Sequence, residues 1–205
     1  MTQLALRKRP LGKSAVDHAV TLEFVGTPFD TRLGWMALAQ RDEVVAGVVF
    51  GHATKRPAME ALCRCLEREQ SDSSVIDFVD AEEQPKTIRS VIERLERYAA
   101  GDEVTFGDVA VDERHLTPFG RRVAQACRRI PVGQTRSYGE LAAACGSPGA
   151  ARAVGQVMAK NRFPLVVPCH RVLAAGGSLG GFSAPQGLIM KRRLLAMESQ
   201  LRHSR

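Results

Sequence analysis

A chain of 205 residues, 44% hydrophobic and 25% charged, has an ordinary globular composition and room for one large domain or two small ones. It holds no apolar run long enough to cross a bilayer, and its basic start (Arg7, Lys8, Arg9, Lys13) lacks the apolar core of a secretory signal. The net charge of +7 is unevenly held: residues 114–205 carry 15 Lys/Arg against two acids, Glu140 and Glu198, while residues 1–113 carry 14 basic and 20 acidic residues. So sharp a split predicts two domains, the second shaped for a polyanion, with nucleic acid the favoured partner. Five irregularly spaced cysteines fit a reducing compartment, so a cytoplasmic protein with no membrane partner is expected, nucleoid-associated if the source is bacterial.

Residues 1–16 read as a disordered basic tail and residues 17–113 as a small α/β domain. Three strands are predicted, Val20 to Val25, Trp35 to Ala39 and Val44 to Phe50, joined by turn-rich stretches. Two amphipathic helices follow, roughly Pro57 to Arg68 and Lys86 to Tyr98. The second carries Ile88, Val91, Ile92 and Leu95 on one face and is closed by Gly101. A polar connector, Asp102 to Glu113, leads to the basic half.

Residues 114–205 read as a mainly helical domain with clear punctuation. Thr117-Pro118 supplies an N-cap and a first-turn proline for a helix to about Arg129. Ser137-Tyr138-Gly139-Glu140 has capping-box spacing and opens a short helix to about Ala144. After Cys145-Gly146, Ser147-Pro148 opens another helix from Gly149 to about Lys160. Two short helices across a glycine turn make a helix-turn-helix candidate. On the second, Val154, Val157 and Met158 face inward, while Arg152, Gln156 and Lys160, four apart, form an outward polar stripe. Small residues near its start, among them Ala151 and Gly155, let the helix lie close to another surface.

The apolar run Pro164-Leu165-Val166-Val167 reads as a short buried strand that delivers Pro168-Cys169-His170-Arg171-Val172. A thiol beside an imidazole and a guanidinium has the neighbours that favour a thiolate nucleophile. Taken alone, the stretch Val167 to Val172 more often holds an inert buried cysteine.

Together, Ser137-Tyr138, Ala151-Arg152-Ala153-Val154-Gly155, Asn161, Pro168-Cys169-His170-Arg171-Val172, Lys191 and Glu198 closely resemble the O6-alkylguanine-DNA alkyltransferase family. The resemblance is most specific over residues 117–198. It implies a ribonuclease H-like N-terminal sheet-and-helix domain, an overall α/β (α+β) class, and a winged helix-turn-helix-like C-terminal domain. It also implies direct-reversal DNA repair. Cys169 takes the alkyl group from O6-alkylguanine, or O4-alkylthymine, in double-stranded DNA after minor-groove binding and base flipping. The protein then acts once, as a monomer that can cluster on DNA, with no cofactor and no metal.

By the same resemblance His170 deprotonates Cys169 through a water, Glu198 orients His170, and Tyr138 donates to guanine N3. Asn161 ties the helix end to the active-site strand. Ser183 contacts O6, and the carbonyls of Cys169 and Val172 accept from the exocyclic amine. Pro164, Met158, Phe182 and Lys191 complete the substrate site. Arg152 takes the place of the flipped nucleotide, with Ser137, Ala151, Gly155, Gln156 and Arg171 as further DNA contacts. Phe182 stands where many relatives have tyrosine, and the loop 180–187 looks longer than in several of them. Cys63 and Cys65 lie two apart on a helix and diverge, so no zinc site with His52 is expected.

Three other readings explain less. A non-catalytic binder of alkylated DNA leaves Cys169 idle. A helix-turn-helix regulator leaves Cys169, His170 and Glu198 without purpose. A cysteine hydrolase gives no reason for the basic half.

Overall fold

The computed structural model describes residues 22–67 and 75–203. The basic tail expected over residues 1–16, the start of the first expected strand and Arg68 lie outside the described residues.

Alternation along the strands builds a sheet buried on both faces. β1 (Leu22–Phe29), β2 (Trp35–Arg41) and β3 (Val44–His52) run antiparallel in sequence, and β4 (Val75–Phe78) pairs parallel with β1, giving the order β3-β2-β1-β4. Ala37, Ala39 and Ala46 face one side, where their small side chains let α1 (Lys55–Glu67) press Ala58, Leu62 and Leu66 against the strands. Met36, Leu38, Val48 and Phe50 face the other side and join the main core with α2 (Lys86–Ala100) and the C-terminal half. This period-2 division is what lets one strand serve two cores. The first three strands and both helices were legible from alternation and periodicity. β4 was not, because four residues in a polar stretch carry too little pattern.

α2 ends at Gly101, whose φ of 101° closes the helix in the left-handed region. The connector that follows is less polar than expected. Val104, Phe106 and Val109 are buried in the core, and the backbone of residues 110–112 bonds to Val45 on β3. The edge strand is thus covered rather than left open. Arg41 on β2 and Arg114 both bond to Asp112 there.

In the C-terminal half, α3 (Pro118–Arg128) starts at Thr117, whose side chain accepts from the Gly120 N–H. α4 (Tyr138–Ala144) starts with the reciprocal Ser137–Glu140 capping box. α5 (Ala151–Ala159) begins two residues later than the sequence suggested, after a turn through Pro148–Ala150. A short parallel pair, β5 (Arg136–Ser137) with β6 (Val172–Leu173), and α6 (Leu188–His203) complete it. The Val48 N–H donates to the Arg162 carbonyl at 2.8 Å, so the segment leaving α5 is bonded to the sheet edge.

The expected strand at Pro164–Val167 is a turn. Leu165 has a φ of 73°, and the Val167 N–H closes back onto the Phe163 carbonyl at 2.7 Å. The run is apolar because Leu165, Val166 and Val167 are buried, not because it joins a sheet. Its backbone is satisfied locally: Asn161 donates to the Val167 carbonyl at 2.8 Å and accepts from the Phe163 N–H at 3.0 Å.

Candidate active site

Cys169, His170 and Arg171 form one tight 3-10 turn. The Arg171 N–H donates to the Pro168 carbonyl at 2.9 Å, and the Val172 N–H donates to the Cys169 carbonyl. Cys169 sits on the wall of a groove of about 1010 Å³ between the two halves, with Asn161, Pro164, Phe182 and Ser183 also on its walls. Asn161 thus holds the turn that precedes the nucleophile, at the point where α5 ends.

His170 is fully buried, and its Nε2 lies 2.9 Å from Glu198 Oε1, with Glu198 equally buried on α6. His170 Nδ1 is buried too and has no protein partner. Burial lowers the imidazole pKa against the opposing pull of Glu198, so the ring is neutral near pH 7. Burial raises the Glu198 carboxyl, but hydrogen bonds and charge from His170 and Arg171 outweigh it and hold the group well below the usual carboxylate range. An ionised Glu198 requires the hydrogen of the neutral ring on Nε2. Nδ1 is left as the proton acceptor.

The Cys169 thiol departs from the expected thiolate. Burial pushes it up, and the Asn161 hydrogen bond and Lys191 charge offset this only in part. Arg171 does not serve as the activating neighbour because it points elsewhere. Its guanidinium donates to both Glu198 oxygens at 2.8–3.2 Å and to the Ile130 carbonyl at 2.6 Å. That corrects its expected place among the DNA contacts: it is a buried counter-ion for Glu198, at 6% exposure.

Two substrate contacts are also corrected. Lys191 is fully buried, and its ammonium donates to the carbonyls of Val172 at 2.7 Å and Leu179 at 2.5 Å. It braces the backbone on either side of residues 173–178 and lies under the Phe182 ring, which also packs edge-on against Phe50. Met158 faces the core of the C-terminal half, not the groove. The carbonyls of Cys169 and Val172 each have one bond and keep a second lone pair for another donor.

Tyr138 opens α4 half-buried, against Gly180 and Gly155. A Cβ on Gly180, which has a φ of 64°, would stand 3.2 Å from the Tyr138 hydroxyl, so glycine is needed there twice over. A Cβ on Gly155 would lie 4.0 Å from the same ring, an ordinary van der Waals contact, so packing of α4 on α5 does not itself require glycine there. Burial, and beyond it the Cys169 and Cys127 thiols, raise the Tyr138 phenol, so it keeps its proton at neutral pH. Arg152, Gln156 and Lys160 all project from α5 into solvent, while Ala151 is half-buried. The Ser137 side chain is occupied as the cap of α4. Ser183 is exposed at the groove rim.

Sequence reasoning missed two groups. The Tyr98 hydroxyl, from α2, donates to Glu198 Oε1 at 2.6 Å, and the Gly133 N–H donates to Oε2 at 3.1 Å. Tyr98 falls three residues after Leu95 on the apolar face of α2, a position that reads as core. Cys63 and Cys65 are half-buried on α1 and not joined in a disulfide, and no cluster of three metal-binding side chains occurs among the described residues.

Comparison with known proteins agrees with this arrangement. Residues 118–200 match the family model of the 6-O-methylguanine DNA methyltransferase DNA-binding domain. The chain is 38% identical over 85% of its length to a methylated-DNA--protein-cysteine methyltransferase of Mycolicibacterium paratuberculosis, covering 91% of that protein. It is 45% identical over 44% of its length to the constitutive enzyme of Bacillus subtilis, covering 54% of it. Among solved structures, Mycobacterium tuberculosis OGT in complex with DNA superposes with a TM-score of 0.66 at 33% identity, over 86% of this chain and 93% of that one. The O6-methylguanine-DNA methyltransferase of Pyrococcus kodakaraensis superposes with a TM-score of 0.63 at 26% identity, over 84% and 98%. With Cys169 on the groove wall, His170 held by the buried Glu198 behind it, and a relative 38% identical that the chain covers to 91%, the chain belongs to the methylated-DNA--protein-cysteine methyltransferase family.

Proposed function

We propose that this protein repairs O6-alkylguanine in double-stranded DNA by moving the alkyl group onto its own Cys169, once per molecule. The observation that carries this reading is the pairing of Cys169, on the groove wall, with a neutral His170 whose Nε2 is held by Glu198 and whose Nδ1 is open. His170 takes the thiol proton through a water. The sulfur attacks the alkyl carbon, the S–C bond forms and the C–O6 bond breaks, and the electron pair stays on the guanine. Tyr138 shares its phenolic proton with guanine N3 as that charge develops. The carbonyls of Cys169 and Val172 accept from the exocyclic amine, and Ser183 meets O6. The resulting thioether has no group beside it that cleaves it, and the displacement needs no cofactor.

α5 enters the minor groove, and Arg152 fills the gap left by the flipped nucleotide. Flipping costs roughly a few kcal/mol, which the arginine in the stack offsets. Gln156 and Lys160 extend the same exposed stripe along the backbone. The protein acts as a monomer in the cytoplasm and also accepts O4-alkylthymine. Phe182 lines the pocket as an apolar wall.

The test uses a duplex with one O6-methylguanine labelled in its methyl group. Label leaves the DNA and appears on the protein in equal amounts, and Cys169→Ala abolishes the transfer. Label retained on DNA by the wild type, or transfer that survives Cys169→Ala, contradicts the assignment.

A further inference from the structure

The Glu198 carboxylate receives Gly133, His170 and Arg171 from the C-terminal half, but its shortest hydrogen bond comes from the N-terminal half. The Tyr98 hydroxyl on α2 lies 2.6 Å from Glu198 Oε1 and 3.3 Å from His170 Nε2. Its side chain is 1% exposed, and its ring is set edge-on against Phe106, with centroids 6.1 Å apart. A hydroxyl has one hydrogen to give, and the shorter contact to an ionised acceptor takes it.

That choice has a consequence for the imidazole. If Tyr98 gave its hydrogen to His170 Nε2, the ring hydrogen would sit on Nδ1, and Nδ1 could not accept a proton. With the Tyr98 hydrogen on Glu198, Nε2 carries the ring hydrogen and Nδ1 is the base. The Tyr98 hydroxyl also takes up part of the Glu198 charge that would otherwise hold a second proton on the ring.

We propose that Tyr98 is a positioning residue for the transfer reaction: by donating to Glu198 it leaves that carboxylate to fix the His170 tautomer and tempers how tightly the imidazole retains a proton. The N-terminal half thereby takes part in the chemistry without touching the substrate. This rests on the assignment of Cys169 as acceptor and His170 as its base. The charged and titratable groups around His170 are Glu198 and Lys191 from α6, Arg171 and Cys169 from its own turn, and Tyr98 from α2. Tyr98 is the one outside the reacting pair whose removal leaves every charge in place.

The direction of effect follows. Tyr98→Phe removes a donor from Glu198, so the carboxylate holds the imidazolium more strongly and the His170 pKa rises. Replacing Tyr98 by 3-fluorotyrosine keeps the shape and makes the phenol a stronger donor, so it moves the pKa down.

The experiment measures the single-turnover rate on an O6-methylguanine duplex against pH, with histidine 15N NMR titration of His170 in the free protein. Tyr98→Phe is expected to move the acid limb and the His170 titration up by about half a unit to one unit, and the fluorotyrosine form to move both down. Phe106→Leu, which disturbs packing but keeps the hydroxyl, is expected to lower Tm with the titration unmoved. An unchanged His170 titration in both Tyr98 variants overturns the proposal, whatever their Tm. If Tyr98→Phe does not fold, the isosteric fluorotyrosine form decides alone. A wild type that transfers no methyl, with His170 still shifting in the variants, supports the Tyr98 coupling and overturns only the assigned reaction.

Discussion

His170 gives its Nε2 to Glu198 at 2.9 Å and keeps a buried Nδ1 that no protein group occupies. The pair is built to receive a proton rather than to stabilise a resting thiolate. Burial lowers the His170 pKa and raises that of Cys169, so near neutrality the resting pair is thiol and neutral imidazole. The transfer rate should therefore be flat around pH 7–8 and fall only below the ordinary imidazole value of about 6.5, as His170 protonates. Iodoacetamide should label Cys169 slowly at pH 7 and faster only above about pH 9. Rapid labelling at pH 6 would show a preformed thiolate and contradict this account.

Glu198→Gln removes the charge that pairs with the buried Arg171 and holds His170, and turns one of two accepting oxygens into a donor amide. An uncompensated buried guanidinium costs about 3–5 kcal/mol. With Tm changing by about 2–4 °C per kcal/mol at this chain length, melting should drop by roughly 6–20 °C. Methyl transfer should slow well beyond what the lost stability explains at a temperature where the variant is folded. Calorimetry and single-turnover assays at that temperature check both.

Arg152 is exposed on α5, so Arg152→Ala should leave the unfolding free energy within about 0.5 kcal/mol of the wild type. Repair of a duplex should slow by about tenfold or more, since flipping costs a few kcal/mol. Reaction with a free O6-alkylguanine base should hardly change. Parallel rate measurements on the two substrates decide it, and equal losses on both would refute the wedge role.

Asp112 joins the end of β2 to the start of the C-terminal half through Arg41 and Arg114. Burial raises its carboxyl, but the hydrogen bonds from Arg114 and Arg41 prevail and lower it to about 2. A depressed carboxylate stabilises the fold above its unfolded pKa of about 3.9, and this contribution is lost as pH falls toward the folded value. Urea melts between pH 5 and pH 2 should show that loss. Asp112→Asn should be less stable at pH 7 by about 1.5–3 kcal/mol and lose less on acidification.

The capped helices were legible because their signals are local: Thr117-Pro118 and the Ser137–Glu140 box define starts without reference to the rest of the fold. The pairing of Cys169, His170 and Glu198 was expected from the resemblance to the alkyltransferase family alone, since nothing local ties Glu198 to a turn 28 residues away. The roles of Arg171, expected as a DNA contact, and Lys191, expected in the substrate site, were not legible, since a basic residue in a basic half reads as a ligand contact until its burial is known. Tyr98 was invisible for the opposite reason. An aromatic on an apolar helix face looks like core, and only the folded chain brings its hydroxyl to a carboxylate 100 residues away. The turn at Leu165 shows the same limit: an apolar run predicts burial, but a strand also needs a partner.

The central claim, that Cys169 is a stoichiometric alkyl acceptor, is tested most directly by intact-mass and peptide mass spectrometry after incubation with excess O6-methylguanine duplex. The account predicts that every protein molecule gains one methyl group in place of one hydrogen, on the peptide containing Cys169, and that the reaction then stops. An unmodified Cys169, a methyl group on another residue, or more guanine restored than protein present would contradict it.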